Sequence, residues 1–310
     1  MTMTILRTAD GWWTQVDGHA YRLDTTAATT HDLLVGDPRS LARAEAGVPV
    51  ADLALLSPVT SPCRLIAQMT NYKSHVVDTG GDPSTIPLTF FRKASGSISG
   101  PYDDIVAPPH VRLTDYEAEI GLVVGAEVPV GAAIGAGLSS VLAGLVITND
   151  VSARDVQLPQ TQFYEGKSYP TFTPTGPALV LLEPDEWARF GELRLRLSVN
   201  GEIRQDTVVA GDMIYPPIEG LQALARFQAL APGDLILTGT PVGTALSAPR
   251  KLLGFLASLM PPARRWQVFF ERQAQNPKFL HDGDVVEIRI DTADGAIDLG
   301  TQRTTFHKSA

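Results

Sequence analysis

Two glutamates in the stretch "DYEAEIGLVVG", residues 115–125, are placed to do chemistry together. On an extended strand successive side chains alternate between faces. Glu117 and Glu119 therefore point one way, with Asp115 in line behind them, while Tyr116, Ala118, Ile120 and Leu122 point the other. A third carboxylate, Asp150, closes the apolar run of "GLVITNDVSARDVQ" and is followed at once by Ser152, Arg154, Asp155 and Gln157. Three carboxylates brought together repel one another and raise each other's pKa unless a cation neutralises them. With oxygen ligands only and no adjoining His or Cys pattern, a hard divalent ion (Mg²⁺, Mn²⁺ or Ca²⁺) is expected rather than zinc.

Other groups suit the same place. Lys167 lies in the turn-rich "EGKSYPTFTPTGP", where its charge can meet a substrate carboxylate or an enolate. "GDLILTGTPVG" ends a strand in Thr238, Gly239 and Thr240, a source of hydroxyls and backbone N–H groups for an anion. In "NYKSHVVDTGG", His75 and Asp78 stand three residues apart, one helical turn, so the carboxylate can orient the imidazole as a general base. The glycines that follow let the segment move as a lid.

The elements that must carry these groups are mostly short β-rich runs such as "EIGLVVG", "GLVITND", "PALVLL", "LRLRLSVNG" and "DVVEIRID", separated by Gly, Pro and Asp. Helices are expected at about 132–143, at about 217–229 and as a pair after 248. Regular helical crossovers are missing, so the fold class is α+β, mainly β, and not a doubly wound parallel sheet. Residues 1–60 read as a small N-terminal domain, with "GWWTQVDGHAYRL" a hairpin and "SLARAEAG" a brief helix closed by its glycine. Residues 61–310 form the main domain. Within it, residues 248–279 read as a helical hairpin insertion whose apolar residues pack on its own domain or on a neighbouring subunit.

Composition narrows the function classes. A net charge of −9 offers no basic field for a phosphate backbone, so nucleic acid is not an expected partner. Cys63 is the only cysteine, which rules out an intramolecular disulfide and a thiolate cluster. No apolar run approaches the roughly 20 residues of a membrane span, and the expected compartment is the cytoplasm. No Gly-rich loop has the spacing that nicotinamide or nucleotide cofactors require.

Taken in order, "DYEAEIG", "NDVSARDVQ", "GKSYPTFTPTGP", "LTGTPVG" and "GDVVEIRI" resemble the fumarylacetoacetate hydrolase family over roughly residues 60–300. The resemblance implies curved mixed β-sheets, a smaller N-terminal domain and a homodimer. It implies Glu117, Glu119 and Asp150 as ligands of Mg²⁺ or Mn²⁺, with Lys167 as the active-site lysine. It places Arg154, Gln157, Thr240 and Tyr72 at the substrate and His75 on the mobile lid. Asp78 stands where the family has a glutamate, one methylene longer. The short Asp150–Lys167 loop and the 248–279 insertion depart from the pattern.

The reaction expected from such a site is metal-dependent hydrolysis of a carbon–carbon bond in a 1,3-dicarbonyl or acylpyruvate-type substrate. His75 with Asp78 activates water, and a metal-stabilised enolate leaves. Decarboxylation or enol isomerisation of an oxaloacetate-like 2-oxo acid on the same site is the alternative. An idle, metal-stabilised scaffold is disfavoured by the full set of charged groups.

Overall fold

The alternation expected around Glu117 is present in the strand Ala118–Val124: Ala118, Ile120, Leu122 and Val124 enter one apolar cluster and Val123 enters another. This strand lies near the middle of a ten-stranded sheet in a computed structural model that describes residues 2–309 apart from Ala136, Thr161 and 247–260. In spatial order the sheet runs β4 (Val48–Pro49), β3 (His19–Arg22), β2 (Gly11–Val16), β1 (Met3–Thr8), β14 (Leu179–Leu181), β11 (Leu142–Asn149), β10 (Ala118–Val124), β17 (Leu235–Leu237), β5 (Leu65–Met69) and β6 (Thr89–Lys93). The β17–β5 pair is parallel and the other pairs are antiparallel.

A second sheet contains β16 (Glu202–Val208), β15 (Arg194–Val199), β18 (Val285–Asp291), β19 (Asp298–Lys308) and β8 (Ile105–Ala107), with β8 parallel to β19. Two small ladders join β9 (Thr114–Asp115) to β12 (Ser152–Ala153) and β7 (Ile98–Ser99) to β13 (Thr173–Pro174). The larger apolar cluster lies between the two main sheets, where Ile120 and Leu145 meet Leu195, Ile288 and Phe306. A mixed, mainly β fold with few helices is what the sequence leads one to expect.

Residues 1–60 add β1–β4 to the main sheet through the pairing of β1 with β14. The β2–β3 hairpin forms as expected. Its turn residues Asp17 and Gly18 both have positive φ, which matches the right-handed twist of the flanking strands. The helix expected at "SLARAEAG" does not form. A 3₁₀ turn ends at Ser40, and Arg43 instead bridges to Leu23.

Helix α1 spans Thr30–Val35, α2 Lys73–Asp78, α3 Arg154–Gln157, α4 Pro217–Ala225 and α5 Pro262–Gln273. No helix forms among the described residues of 132–143. Gly131, Gly135 and Gly137 interrupt that stretch, a 3₁₀ turn takes Leu138–Ser140, and β11 begins at Leu142. Of the expected insertion hairpin, α5 is its second arm. The first arm falls at 247–260, outside the described residues. Trp266 and Phe269 pack on the inter-sheet core, and Phe270 is buried in it.

Gly243 lets the loop after β17 lie against β16. Its φ is +109°, and an added Cβ would sit 2.0 Å from the Arg204 carbonyl oxygen. Gly243→Ala is therefore expected to cost about 3 kcal/mol or more, read as a lower denaturation midpoint at unchanged m-value.

Candidate active site

Strands β10 and β11 place the carboxylates. Ala118 pairs with Asn149 across the ladder, so Glu117 and Glu119 flank that rung and Asp150 follows it. The Asp150 N–H donates to the Glu117 carbonyl at 2.9 Å, and the Glu117 N–H to Asn149 Oδ1 at 2.9 Å. One ligand atom from each of Glu117, Glu119 and Asp150 lies within 4.8 Å of the others. All three residues are buried, Glu119 to 2% exposure. This acidic face is no solvated edge.

Three cations close around the triad. Lys167, brought in by a 3₁₀ turn at Glu165–Lys167, donates to Glu117 Oε2 at 2.6 Å and to Asp150 Oδ2 at 2.7 Å. Arg154, on α3, donates through Nη2 to Glu117 Oε1 at 2.5 Å, through Nε to Asp115 Oδ2 at 2.8 Å and through Nη1 to Gln157 Oε1 at 2.9 Å. Lys93, at the end of β6, contacts Asp150 Oδ1 and donates to the Phe172 carbonyl at 2.9 Å. Set against Asp115, Glu117, Glu119 and Asp150, these three cations leave one negative charge over. It falls on Glu119, whose carboxylate accepts from the Gly239 N–H at 2.7 Å and has no Lys or Arg at ion-pair distance among the described residues.

Protonation follows that imbalance. Burial pushes the Glu117 carboxyl up, but Lys167 and Arg154 outweigh it and hold Glu117 well below the usual carboxylate range. At Glu119, burial and the nearby charges of Asp150 and Glu117 push the same way, and its pKa rises well above the ordinary value. Burial lowers Lys93 against the pull of Asp150, whereas at Lys167 Asp150 and Glu117 overcome burial and raise it. Among the described residues the donor set thus lacks one positive charge in an all-oxygen cage. Those residues fit a hard divalent cation.

His75 reaches the cavity from α2, a helix fixed at its N-terminal end. Asp212 accepts from the Ser74 N–H at 2.7 Å and from its hydroxyl at 2.5 Å, satisfying first-turn donors that Tyr72, the N-cap, leaves open. Asn71 donates to the Tyr215 and Thr238 carbonyls, both at 3.0 Å. His75 Nδ1 is buried and has no hydrogen-bond partner. Burial lowers the His75 pKa, although Glu117 opposes it.

The expected His75–Asp78 dyad is not assembled. Asp78 is exposed at the far end of the short helix and forms no ion pair with His75, whose ring faces the cavity. Tyr72 is fully buried and outside the cavity lining, so it does not meet the expectation of a substrate contact.

Arg154, Gln157, Lys167, Thr240 and His75 all line one cavity of about 70 Å³ with the triad, a space for about two waters. The Thr240 hydroxyl is already engaged: it donates to the Ala118 carbonyl at 3.0 Å and accepts from Gln205 Nε2 at 2.9 Å. Gln205 Oε1 in turn accepts the Ala118 N–H at 2.9 Å. A buried glutamine of β16 thereby ties the peptide between the two glutamates to the loop after β17. Lys93, Gln205, Gln68 and the aromatic pair Phe91 and Phe163 escape a reading of the sequence. The only local signal is Lys93, a lysine in the apolar run "LTFFRK" that shares a strand face with Phe91.

The model of the fumarylacetoacetate (FAA) hydrolase C-terminal domain matches residues 64–307. "Oxaloacetate tautomerase Fahd2a, mitochondrial" of Rattus norvegicus is 36% identical over 210 residues, which is 67% of this chain and 65% of the relative. "Oxaloacetate tautomerase FAHD2A, mitochondrial" of Homo sapiens is 35% identical over 211 residues, with the same coverage of each chain. The chain thus spans about 65% of the length of these curated relatives. Among solved structures, a probable 2-hydroxyhepta-2,4-diene-1,7-dioate isomerase from Mycobacterium abscessus is similar over 100% of both chains at 28% identity and a TM-score of 0.73. Fumarylacetoacetate hydrolase from psychrophilic Exiguobacterium antarcticum is similar over 100% of both chains at 25% identity and a TM-score of 0.69.

Proposed function

The chain belongs to the fumarylacetoacetate hydrolase family, and on that premise we propose a divalent-metal-dependent enzyme that moves a proton between carbon and oxygen of a 2-oxo acid, a tautomerase or isomerase. The observation that carries this reading is a lone neutral imidazole facing a carboxylate triad, with Asp78 not at hand. Hydrolysis needs water activated and an imidazolium stabilised through an attack on carbon, the task a His–carboxylate dyad performs. Proton transfer at the carbon next to the carbonyl needs only a base within reach. The oxaloacetate tautomerase relatives support the same choice.

Mg²⁺ or Mn²⁺ held by Glu117, Glu119 and Asp150 would supply Lewis acidity to a 2-oxo oxygen and its neighbouring carboxylate. Lys167 and Arg154 keep Glu117 ionised, and Lys167 and Lys93 hold the Asp150 side chain in place. His75 takes the proton from C3 and delivers it to the 2-oxo oxygen, and in the ketonising direction moves the enol proton back to C3, while Gln157 and Thr240 line the cavity beside it. Hydrolytic carbon–carbon cleavage is the second reading, favoured by a base in a cavity with room for a water beside it. It requires Asp78 to reach the imidazole.

The test is ultraviolet loss of the enol of a 2-oxo acid with purified protein and Mg²⁺. EDTA-sensitive ketonisation without fragments supports the proposal, and metal-dependent appearance of two fragments replaces it with hydrolysis. At saturating Mg²⁺, kcat/KM is expected to fall on the acid side with an apparent pKa below the 6.5 of a free imidazole. The base acts neutral, and burial has lowered its pKa below 6.5. A limb well above pH 6.5 would contradict a buried neutral base.

We also propose that residues 1–60 form an N-terminal unit ahead of the catalytic region 61–310, since the family match begins at residue 64. Two chains per particle are proposed for the assembly, read by light scattering. No described helix is long and apolar enough to cross a membrane.

A further inference from the structure

The cavity extends past the triad to a wall that proton transfer does not use. Phe91 and Phe163 meet there edge to face, with ring centroids 5.7 Å apart and planes at 72°, and Met69 extends the surface. The Phe91 ring lies 5.5 Å from the Lys167 ammonium.

The cations at the cavity are committed. Lys167 donates to Glu117 and Asp150, and the Arg154 fork is taken by Asp115, Glu117 and Gln157. No other Lys or Arg lines the cavity among the described residues. A second carboxylate pressed against this wall would lose its water and find no counter-charge. A flat apolar group would bury area and add an edge or a face to the aromatic pair.

We propose that the cavity takes a 2-oxo acid whose substituent beyond C3 is apolar and uncharged, planar groups above all, rather than a second carboxylate. This rests on the reading of the site as one that enolises 2-oxo acids. It assigns Phe91 and Phe163 to specificity.

The test compares phenylpyruvate with oxaloacetate, which share the 2-oxo acid and its CH₂ and differ by a phenyl ring in place of a carboxylate. Tautomerisation kcat/KM and calorimetric Kd are measured on the Mg²⁺-loaded enzyme. The expected ratio favours phenylpyruvate at least tenfold, within the range that one apolar contact surface provides. Phe163→Ala is expected to reduce that ratio about tenfold, and Phe163→Lys to invert it by supplying the missing cation. Phe163→Leu, which stays apolar, keeps the preference and controls for folding. A wild-type preference for oxaloacetate overturns this inference and leaves the enolisation reading standing, as does a ratio unmoved in both Phe163→Ala and Phe163→Lys. Turnover of neither acid overturns both.

Discussion

Glu119→Gln is expected to abolish tight divalent-ion binding and to lower kcat/KM by about 10³-fold, while making the metal-free protein more stable. The first effect follows from the charge count around the triad, since Glu119 is the carboxylate that meets no Lys or Arg at ion-pair distance among the described residues. Lewis-acid stabilisation is worth several kcal/mol, and about 1.4 kcal/mol is tenfold in rate. The second effect follows from its raised pKa. An acid whose folded pKa lies above its unfolded value contributes stability below the unfolded pKa of 4.5 and loses it as pH rises through the folded one. Above its unfolded pKa the metal-free wild type therefore carries the cost of a group whose ionised form burial and its carboxylate neighbours disfavour, and glutamine removes that cost while keeping an oxygen for the Gly239 N–H. Calorimetric metal titration and thermal melting with and without Mg²⁺ check both. A stable variant that still binds metal would remove Glu119 from the ligand set.

His75→Ala is expected to lower kcat by 10² to 10⁴-fold with little change in metal affinity, the range for loss of a positioned general base. His75 touches no carboxylate of the triad by hydrogen bond, so its removal leaves the metal ligands in place. Asp78→Asn separates the readings. Proton transfer by the imidazole alone predicts a change of less than about threefold, because Asp78 is exposed and unpaired with it. A loss comparable to that of His75→Ala would show that Asp78 closes onto the ring during turnover, as the hydrolytic dyad requires.

Much of the site is legible because period-two alternation is local. Glu117 and Glu119 share a face as soon as residues 116–122 are read as a strand, and Asp150 follows from the end of the next apolar run. Lys167 and Arg154 are also found. Their main work differs from what is expected, however, since both spend their donors on carboxylates of the site rather than being left open for substrate. Lys93 and Gln205 are not legible, because their partners lie 57 and 87 residues away along the chain and no short pattern encodes such contacts. Asp78 and Tyr72 show the converse. Spacing on one helical turn places two side chains near each other in principle, but a six-residue helix held at its N-terminal end directs His75 inward and leaves Asp78 in solvent.

Local propensity misleads in two stretches for one reason. "SLARAEAG" and 132–143 contain good helix formers, yet glycines and strand pairing take over: Arg43 bridges to Leu23, and Leu142 opens a central strand. The N-terminal hairpin is readable from Asp17–Gly18, but its edge contact with Leu179–Leu181 is not, because that pairing spans more than half the chain.

The measurement that tests the central claim most directly is proton NMR of a 2-oxo acid in D₂O with the Mg²⁺-loaded protein. Deuterium entering C3 at an enzyme-dependent rate, lost with EDTA and in His75→Ala, with no fragments and no CO₂, is the predicted result. Cleavage into two products, or CO₂ release, at a rate that matches or exceeds C3 exchange would contradict it.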